Sequence, residues 1–194
     1  RARGIALHES FGSIVAQVVE VSIEDGTPKV HRVTCAVDCG TVINPDTLVA
    51  RMGSGIVYGL SAALWGEVTF EAGVPQQTNF PDYPMVRLAD MPEIDTHIIK
   101  STEAPGGAGE PGTPPIAPAV TNALFQWTGR RVRELPLSRQ DWTNWTEVKR
   151  PEAMAAKASV ALSVYASLIT GYMAQRGSQG TTGQCLGTCT SGTW

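Results

Sequence analysis

The carboxylate of Glu110 stands in the segment EAPGGAGEPGTPP, residues 103–115, which also holds four glycines and four prolines. Glycines allow a backbone to approach a ligand closely and leave N–H groups uncovered. A carboxylate that such a loop held against a pocket would be desolvated, and desolvation would raise its pKa toward the range useful to a general base. The residue types alone rank an ordinary solvated surface loop ahead of this alternative.

The same segment does not have the pattern of a phosphate-binding loop. It lacks the Gly-Lys-Ser/Thr of a P-loop, and Glu110 would repel a phosphate rather than bind it. The dinucleotide-binding fingerprint also fails, because the glycine spacing is wrong and Pro114 and Pro115 follow. What remains is a carboxylate held against a pocket by the flanking backbone.

The four cysteines form two pairs, each with three residues between its members. Cys35 and Cys39 fall on the same face of a predicted strand, where they are too far apart for an easy disulfide bridge. Their spacing is unusual for zinc and two further ligands are missing, so core thiols are favoured over a metal or redox site. Cys185 and Cys189 lie in a tail rich in Gly, Thr and Ser and indicate less still.

Ordinary roles are expected for the other carboxylates and for the histidines. Scattered histidines are more often satisfied or exposed side chains than ligands. The sequence predicts turns or caps at Asp38 and Asp90, a surface position for Glu9, strand or loop polarity at Asp82, and no ligand role for His8, His31 and His97.

Length and charge limit the kind of protein. The 194 residues are 42% hydrophobic and 17% charged, with a formal net charge of -3, which suits a globular domain plus some additional chain. The only tight basic cluster, at 130–133, follows a glycine at a predicted helix end, so no nucleic-acid partner is expected. The chain begins at Arg1 without Met or a signal-like segment, which favours a fragment and leaves both cytoplasm and periplasm open.

Local patterns predict an α+β domain, with a mixed antiparallel sheet and packed helices, as part of a larger domain. Residues 13–38 are rich in β-branched side chains and broken by Asp25-Gly26, which predicts a hairpin. A second hairpin is predicted at 67–80 and a further strand at 93–100. Two helices are predicted. The first is capped by Asn44 and starts at Pro45, and its apolar face consists of Leu48, Met52, Ile56, Leu60 and Ala63. The second spans 116–128 and ends at Gly129.

Three glycines in the first predicted helix, at 53, 55 and 59, are poor helix formers. They suggest close approach to another backbone or to a ligand, although core packing alone explains such glycines about as often. Residues 138–194 have no assignment. Within them, 153–174 nears membrane-spanning length but contains Lys157, so a surface helix is favoured over a membrane span, and a low-complexity tail follows.

Six segments occur in order along roughly residues 1–137: RGIALHESFGSIVAQVVEVS, KVHRVTCAVDCGTVINPD, GIVYGLSAALWGEVTF, NFPDYPMVR, MPEIDTHIIKS and PGGAGEPGTPPIAPAVTNALFQWTGRRVRELP. Together they resemble the C-terminal part of the molybdopterin-binding large subunit of the xanthine oxidase and aldehyde oxidase family. Within that family they look most like isoquinoline 1-oxidoreductase β-subunits and related aldehyde dehydrogenases. A set of many ordered segments is far more specific than any single motif.

The resemblance implies a function for the glycine loop, residues 103–115. The Glu of the family's Gly-Glu-Pro motif is the catalytic base beside molybdenum, and here it is Glu110. Gly107, Ala108 and Gly109 would lie along a molybdopterin cofactor, of the cytosine dinucleotide form, and no protein ligand to the metal is needed. Family members hydroxylate an aldehyde carbon, or a carbon beside a ring nitrogen, with oxygen from water.

The resemblance also implies partner chains, and this sequence departs from the family pattern at three positions. Partners would be the remainder of the large subunit and a small subunit with [2Fe-2S] clusters, and the isolated chain would be inactive. Relatives usually read AQMEGGI where this chain has ARMGSGI, so Arg51, Gly53 and Ser54 replace Gln, Glu and Gly. These departures and the unassigned tail keep a second hypothesis open, a truncated, non-catalytic remnant that acts at most as an interaction module.

Overall fold

A computed structural model of the protein describes residues 1–145, which form a four-stranded mixed sheet, a small hairpin and two α-helices. This architecture confirms the predicted α+β class. The sheet has the order β1-β2-β3-β6. The elements are β1 Ala2–Ser10, β2 Ser13–Glu24, β3 Thr27–Asp38, α1 Pro45–Leu64, β4 Phe70–Glu71, β5 Val74–Pro75, β6 Glu93–Ile98 and α2 Ile116–Thr128.

The first strand, β1, was not predicted from the sequence. It pairs antiparallel with β2 from Ala2↔Val21 to Ser10↔Ser13, and Phe11 and Gly12 make the turn with φ of 55° and 76°. Two positive φ angles fit a type I′ hairpin turn, a position for which Phe is an unusual residue. The β1–β2 turn therefore lacks the typical turn residues that made the β2–β3 hairpin predictable from the sequence.

The hairpin of β2 and β3 confirms the prediction for residues 13–38. Asp25 and Gly26 form its turn with φ of 50° and 69°. The predicted strand near residue 93 is also confirmed as β6, which pairs parallel to β3 rather than antiparallel. The predicted hairpin at 67–80 reduces to the two-residue strands β4 and β5.

Helix α1 starts where the sequence predicts. The side chain of Asn44 accepts a hydrogen bond from the backbone N–H of Thr47 at 3.0 Å, and Pro45 occupies the first turn. By length and composition the helix could cross a membrane. Half of its apolar stretch is buried inside the protein, however, as in a helix that belongs to a hydrophobic core. All five residues of its predicted apolar face are buried: Leu48, Met52, Ile56, Leu60 and Ala63.

The glycines of α1 divide into two kinds. A Cβ at Gly59 would come within 2.6 Å of the Ile116 side chain, and one at Gly55 within 3.2 Å of Thr113 Oγ1. The prediction of close approach is therefore confirmed at these two positions, where the start of α2 packs. Outside the backbone of α1 itself, no atom of residues 1–145 lies within 4 Å of the corresponding position at Gly53, so close approach to this part of the chain does not explain that glycine.

Helix α2 has the predicted bounds and ends at Gly129, which is left-handed with φ of 73°. It packs on β1 at Gly4, where a Cβ would lie only 2.2 Å from both Ala119 O and Ala123 N. Of the basic cluster that follows, Arg131 places its guanidinium 3.8 Å from the centre of the Phe125 ring, at the end of the helix.

The packed chain continues past residue 137. Leu137 and Trp142 are buried, and Trp142 Nε1 donates a hydrogen bond to Leu137 O at 2.8 Å. The domain boundary at 137 remains a prediction. The predicted helix at 153–174, the tail and the Cys185–Cys189 pair lie outside the described residues.

Candidate active site

The first half of the glycine loop packs tightly against the end of the sheet. The N–H of Gly106 donates to Cys39 O and that of Gly107 to Phe11 O, both at 2.8 Å. A Cβ at Gly106 would approach Gly12 O to 2.6 Å, and one at Gly107 would approach Phe11 Cβ to 2.7 Å. The absence of side chains at these positions therefore serves backbone packing within the protein.

The middle of the loop, at Gly109 and Glu110, is exposed. Apart from its two chain neighbours, no atom of residues 1–145 lies within 4 Å of the Cβ position at Gly109, whereas Ala108 packs against the hydrophobic core. Of the three residues predicted to contact a cofactor, Gly109 is the one with free space for an approaching group. The cofactor contacts predicted for Gly107, Ala108 and Gly109 remain a prediction.

Glu110 begins a tight turn just before helix α2. The N–H of Thr113 donates to Glu110 O at 2.9 Å, and Thr113 Oγ1 donates to Gly55 O of α1 at 3.1 Å. The Glu110 side chain is exposed. The desolvation expected of a buried base is therefore not supplied by residues 1–145, and its role as the base remains a prediction.

A cleft of about 590 Å³ lies beside Glu110. It brings together the glycine loop with residues from β1, its turn and α1, which are distant in sequence. Two aromatic side chains, Phe11 and Tyr58, are each 67% exposed. The lining residues are His8, Ser10, Phe11, Ser54, Gly55, Tyr58, Gly109, Glu110, Thr113 and Pro114.

Two polar residues of the cleft, His8 and Ser10, were missed as site residues. They lie two apart on β1 and so share one face of the strand. Ser10 Oγ is shielded from solvent and has no hydrogen-bond partner within residues 1–145. A buried hydroxyl normally has a partner, so this one fits a ligand in the cleft. Recognising β1 as a strand would have placed both side chains together.

Neither described cysteine is suited to nucleophilic or metal chemistry. Cys35 and Cys39 are buried and unbridged, which confirms the prediction of core thiols. Burial raises the pKa of the Cys35 thiol to about 12, and burial and the adjacent Asp38 raise that of Cys39. Among residues 1–145, no group of three or more His, Cys, Asp or Glu side chains is arranged to hold a metal.

The remaining histidines have protein partners. His31 Nε2 lies 2.6 Å from Ser22 Oγ, and burial, followed by the charge of Arg1, lowers the pKa of His31. His97 pairs with Asp95 at 3.1 Å. These contacts agree with the structural roles expected for both histidines and leave His8 as the histidine of the cleft.

The other carboxylates also have ordinary positions. Asp38 Oδ1 accepts the N–H of Gly40, as expected of a turn residue. Asp82 accepts the N–H groups of Thr78 and Asn79, and thus caps a short helical turn. Glu9 is exposed, and Asp90 lies in a 3₁₀ turn at 88–90.

The three departures from the related sequences lie on the exposed side of α1. Ser54 lines the cleft, Arg51 is exposed, and Gly53 has free space around it. Of the three, Ser54 is therefore the one placed to alter a ligand contact.

The family to which these features belong is that of molybdopterin-binding domains. Residues 7–92 match the family model described as the molybdopterin cofactor-binding domain. The chain thus carries part of a molybdopterin-binding domain of the xanthine oxidase family, which confirms the resemblance predicted from the sequence.

Curated relatives support the same placement. The chain is 41% identical over 138 residues to isoquinoline 1-oxidoreductase subunit beta of Brevundimonas diminuta, an alignment that covers 70% of this chain and 18% of that protein. It is 39% identical over 127 residues to the protein named membrane-bound aldehyde dehydrogenase (pyrroloquinoline-quinone) of Gluconacetobacter polyoxogenes, covering 66% and 16%. The chain therefore spans less than a fifth of the length of these relatives.

Solved structures show the same fold. Quinoline 2-oxidoreductase from Pseudomonas putida 86 superposes with a TM-score of 0.57 at 22% identity, over 64% of this chain and 17% of that one. Aldehyde oxidoreductase from Desulfovibrio gigas gives 0.54 at 22% identity, over 64% and 14%. The arrangement of sheet and helices is therefore shared with larger oxidoreductase chains.

Proposed function

We propose that this chain supplies the catalytic base and one wall of the active site of a molybdenum hydroxylase that oxidises an aldehyde or N-heteroaromatic carbon. The observation that carries the proposal is the position of Glu110, which lines an open cleft on a turn between the packed glycine loop and helix α2. The curated relatives named isoquinoline 1-oxidoreductase and aldehyde dehydrogenase support it.

The cleft fits a molybdopterin cofactor in two respects. Within residues 1–145, space is free beside Gly109, so the group can approach the backbone there, and Ser10 Oγ is a buried hydroxyl without a hydrogen-bond partner. Gly109 and Ser10 are the residues that we expect to hold the cofactor. When bound, molybdenum acts as a Lewis acid and accepts two electrons.

The proposed task of Glu110 is to accept a proton. In the overall reaction a carbon–hydrogen bond becomes a carbon–oxygen bond, water supplies the oxygen, two electrons pass to the cofactor and two protons are released. A carboxylate beside the reacting water-derived oxygen takes one of these protons. Because Glu110 is exposed here, the remainder of the large subunit would have to close the cleft and exclude water.

The proposed reaction also requires parts of the enzyme beyond this chain. The missing cofactor walls would come from the remainder of the large subunit, and electrons would leave through a small subunit with [2Fe-2S] clusters. The cofactor form that we propose is molybdopterin cytosine dinucleotide.

The isolated chain is expected to be inactive, because it provides one side of the cleft. Purified alone, it should contain less than about a tenth of an equivalent of molybdenum and show no substrate oxidation, whereas the assembled enzyme should contain molybdenum and turn over. Metal analysis and an aldehyde or N-heterocycle oxidation assay on both samples decide this. Turnover by the isolated chain would contradict the proposal, and a metal-free assembly would favour the non-catalytic remnant.

Glycine substitutions test the contact proposed for Gly109. Gly109→Ala should change the free energy of unfolding by less than about 0.5 kcal/mol, because its Cβ meets open space in the protein. It should nevertheless lower the molybdenum content of the assembled enzyme at least about threefold. Gly107→Ala is the matched comparison and should destabilise the fold by about 1–3 kcal/mol through its clash with Phe11. Full molybdenum loading in a folded Gly109→Ala variant would remove Gly109 from the cofactor site.

A further inference from the structure

Two polar side chains on β2, Ser13 and Gln17, are completely buried. Each donates one hydrogen bond to a carbonyl of the glycine loop: Ser13 Oγ to Gly107 O and Gln17 Nε2 to Gly112 O, both at 2.7 Å. The two carbonyls lie three residues before and two residues after Glu110. The pair therefore brackets the turn that carries the candidate base.

The positions of Ser13 and Gln17 on β2 favour a role in holding the glycine loop. Ser13 and Gln17 are four apart on β2, so they project from the same face, and the two residues that continue this face are Val15 and Val19, both fully buried. A polar side chain in such a row costs stability unless it is hydrogen-bonded. The loop carbonyls accept one bond from Ser13 Oγ and one from Gln17 Nε2, whereas Gln17 Oε1 has no hydrogen-bond partner within residues 1–145.

Chain geometry explains why the loop needs these bonds. Residues 99–115 contain no helix or strand, so regular backbone pairing does not hold Glu110 in place. The N–H groups of Gly106 and Gly107 fix the beginning of the loop to the sheet, and Thr113 fixes its end to α1. Between these points, Ser13 and Gln17 are the side chains that reach across to the loop from the buried face of the sheet.

We infer that Ser13 and Gln17 are positioning residues that hold the Glu110 turn in the orientation needed for proton transfer. The inference rests on the proposed function of Glu110. Both residues act through the backbone of the loop, because neither lines the cleft. Loss of either bond should widen the range of positions of the Glu110 carboxylate.

The test uses Ser13→Ala and Gln17→Met in the assembled enzyme, since Met fills a similar volume without an amide donor. Hydrogen–deuterium exchange of the peptide with the N–H groups of Gly106, Gly107 and Thr113 should accelerate at least about tenfold, with little change in the sheet. The rate of enzyme reduction by substrate in a single turnover should fall about 10- to 100-fold, as expected for a misplaced catalytic group. The rate is expressed per bound molybdenum, because Gly109 lies in the same turn, and substrate affinity should stay within about twofold.

Matched controls remove side-chain bonds elsewhere. Gln140→Met deletes an amide donation to Glu134 O, and Ser22→Ala deletes a hydroxyl that bonds Glu24. Both should leave exchange in the loop and the reduction rate unchanged. Unchanged loop exchange, or an unchanged reduction rate, in folded Ser13→Ala and Gln17→Met would overturn the inference.

The same experiment separates the inference from the proposed function. We call Ser13→Ala and Gln17→Met the anchor variants. If Glu110→Gln remains active while the anchor variants loosen the loop and slow reduction, the proposed role of Glu110 as the base is wrong, and the inference that Ser13 and Gln17 anchor the loop stands. If Glu110→Gln is inactive while the anchor variants behave as wild type, the proposed function stands and the anchoring is wrong. Should one anchor variant fail to fold, the other provides the same measurement on its own carbonyl.

Discussion

Replacement of Glu110 by Gln in the assembled enzyme should slow substrate-driven reduction by at least about 10²-fold, and up to about 10⁴-fold, the range for loss of a general base. Gln keeps the size and the hydrogen-bonding capacity of the side chain but accepts a proton far less readily. The Glu110 side chain is exposed, and the bonds that hold the turn, from Ser13, Gln17 and Thr113, do not involve its carboxylate. Molybdenum content and substrate affinity should therefore change little.

The same segment offers a matched control for this substitution. Glu103 is also exposed, and the contacts it makes to Thr41 use its backbone carbonyl rather than its carboxylate. Glu103→Gln should therefore retain wild-type rates. The decisive measurement is molybdenum content together with the single-turnover rate of reduction. A fully loaded Glu110→Gln enzyme that is reduced at nearly the wild-type rate would end the assignment of the base.

The second large effect is expected at the contact between α2 and β1. Gly4→Ala should lower the free energy of unfolding by about 3 kcal/mol or more. The added methyl group would meet backbone atoms of Ala119 and Ala123 at 2.2 Å, and a helix backbone cannot rotate aside as a flexible side chain can. The helix would have to move away from the sheet. Urea unfolding followed by circular dichroism measures the effect.

Gly53→Ala is the comparison for the stability measurement. It introduces the same methyl group inside α1, where no atom of the described part of the chain lies within 4 Å other than the backbone of the helix itself. Because Ala is the better helix former, this variant should be unchanged or more stable by up to about 1 kcal/mol. Equal stabilities of the Gly4→Ala and Gly53→Ala proteins would show that the close packing of α2 on β1 is not what holds this face of the sheet.

Local signals were sufficient for much of the fold. Asn44 and Pro45 fixed the start of α1, Gly129 fixed the end of α2, and Asp25-Gly26 marked a hairpin, because each signal acts within a few residues. Strand β1 was missed since its turn contains Phe11 in place of a usual turn residue. The parallel partner of β3 could not be inferred either, because pairing across a long connection leaves no local pattern.

The candidate site was predictable only in part. The family resemblance singled out Glu110, and the glycine content indicated close packing of its loop. The sequence could not distinguish Gly107, packed on Phe11, from Gly109, which borders open space, since both are glycines in the same run. His8 was not recognised as a site residue, because only the pairing of β1 with β2 and the packing of α1 bring it to the same cleft as the loop.

The bonds from β2 to the glycine loop have a consequence for the order in which the protein folds. They close separations of 94 and 95 residues, whereas the β1–β2 and β2–β3 hairpins join neighbouring strands through two-residue turns. Contacts of short sequence separation form sooner than those that must close long loops. The two hairpins should therefore form first and the Glu110 turn last, so a folding intermediate with native hairpins would still lack a competent site.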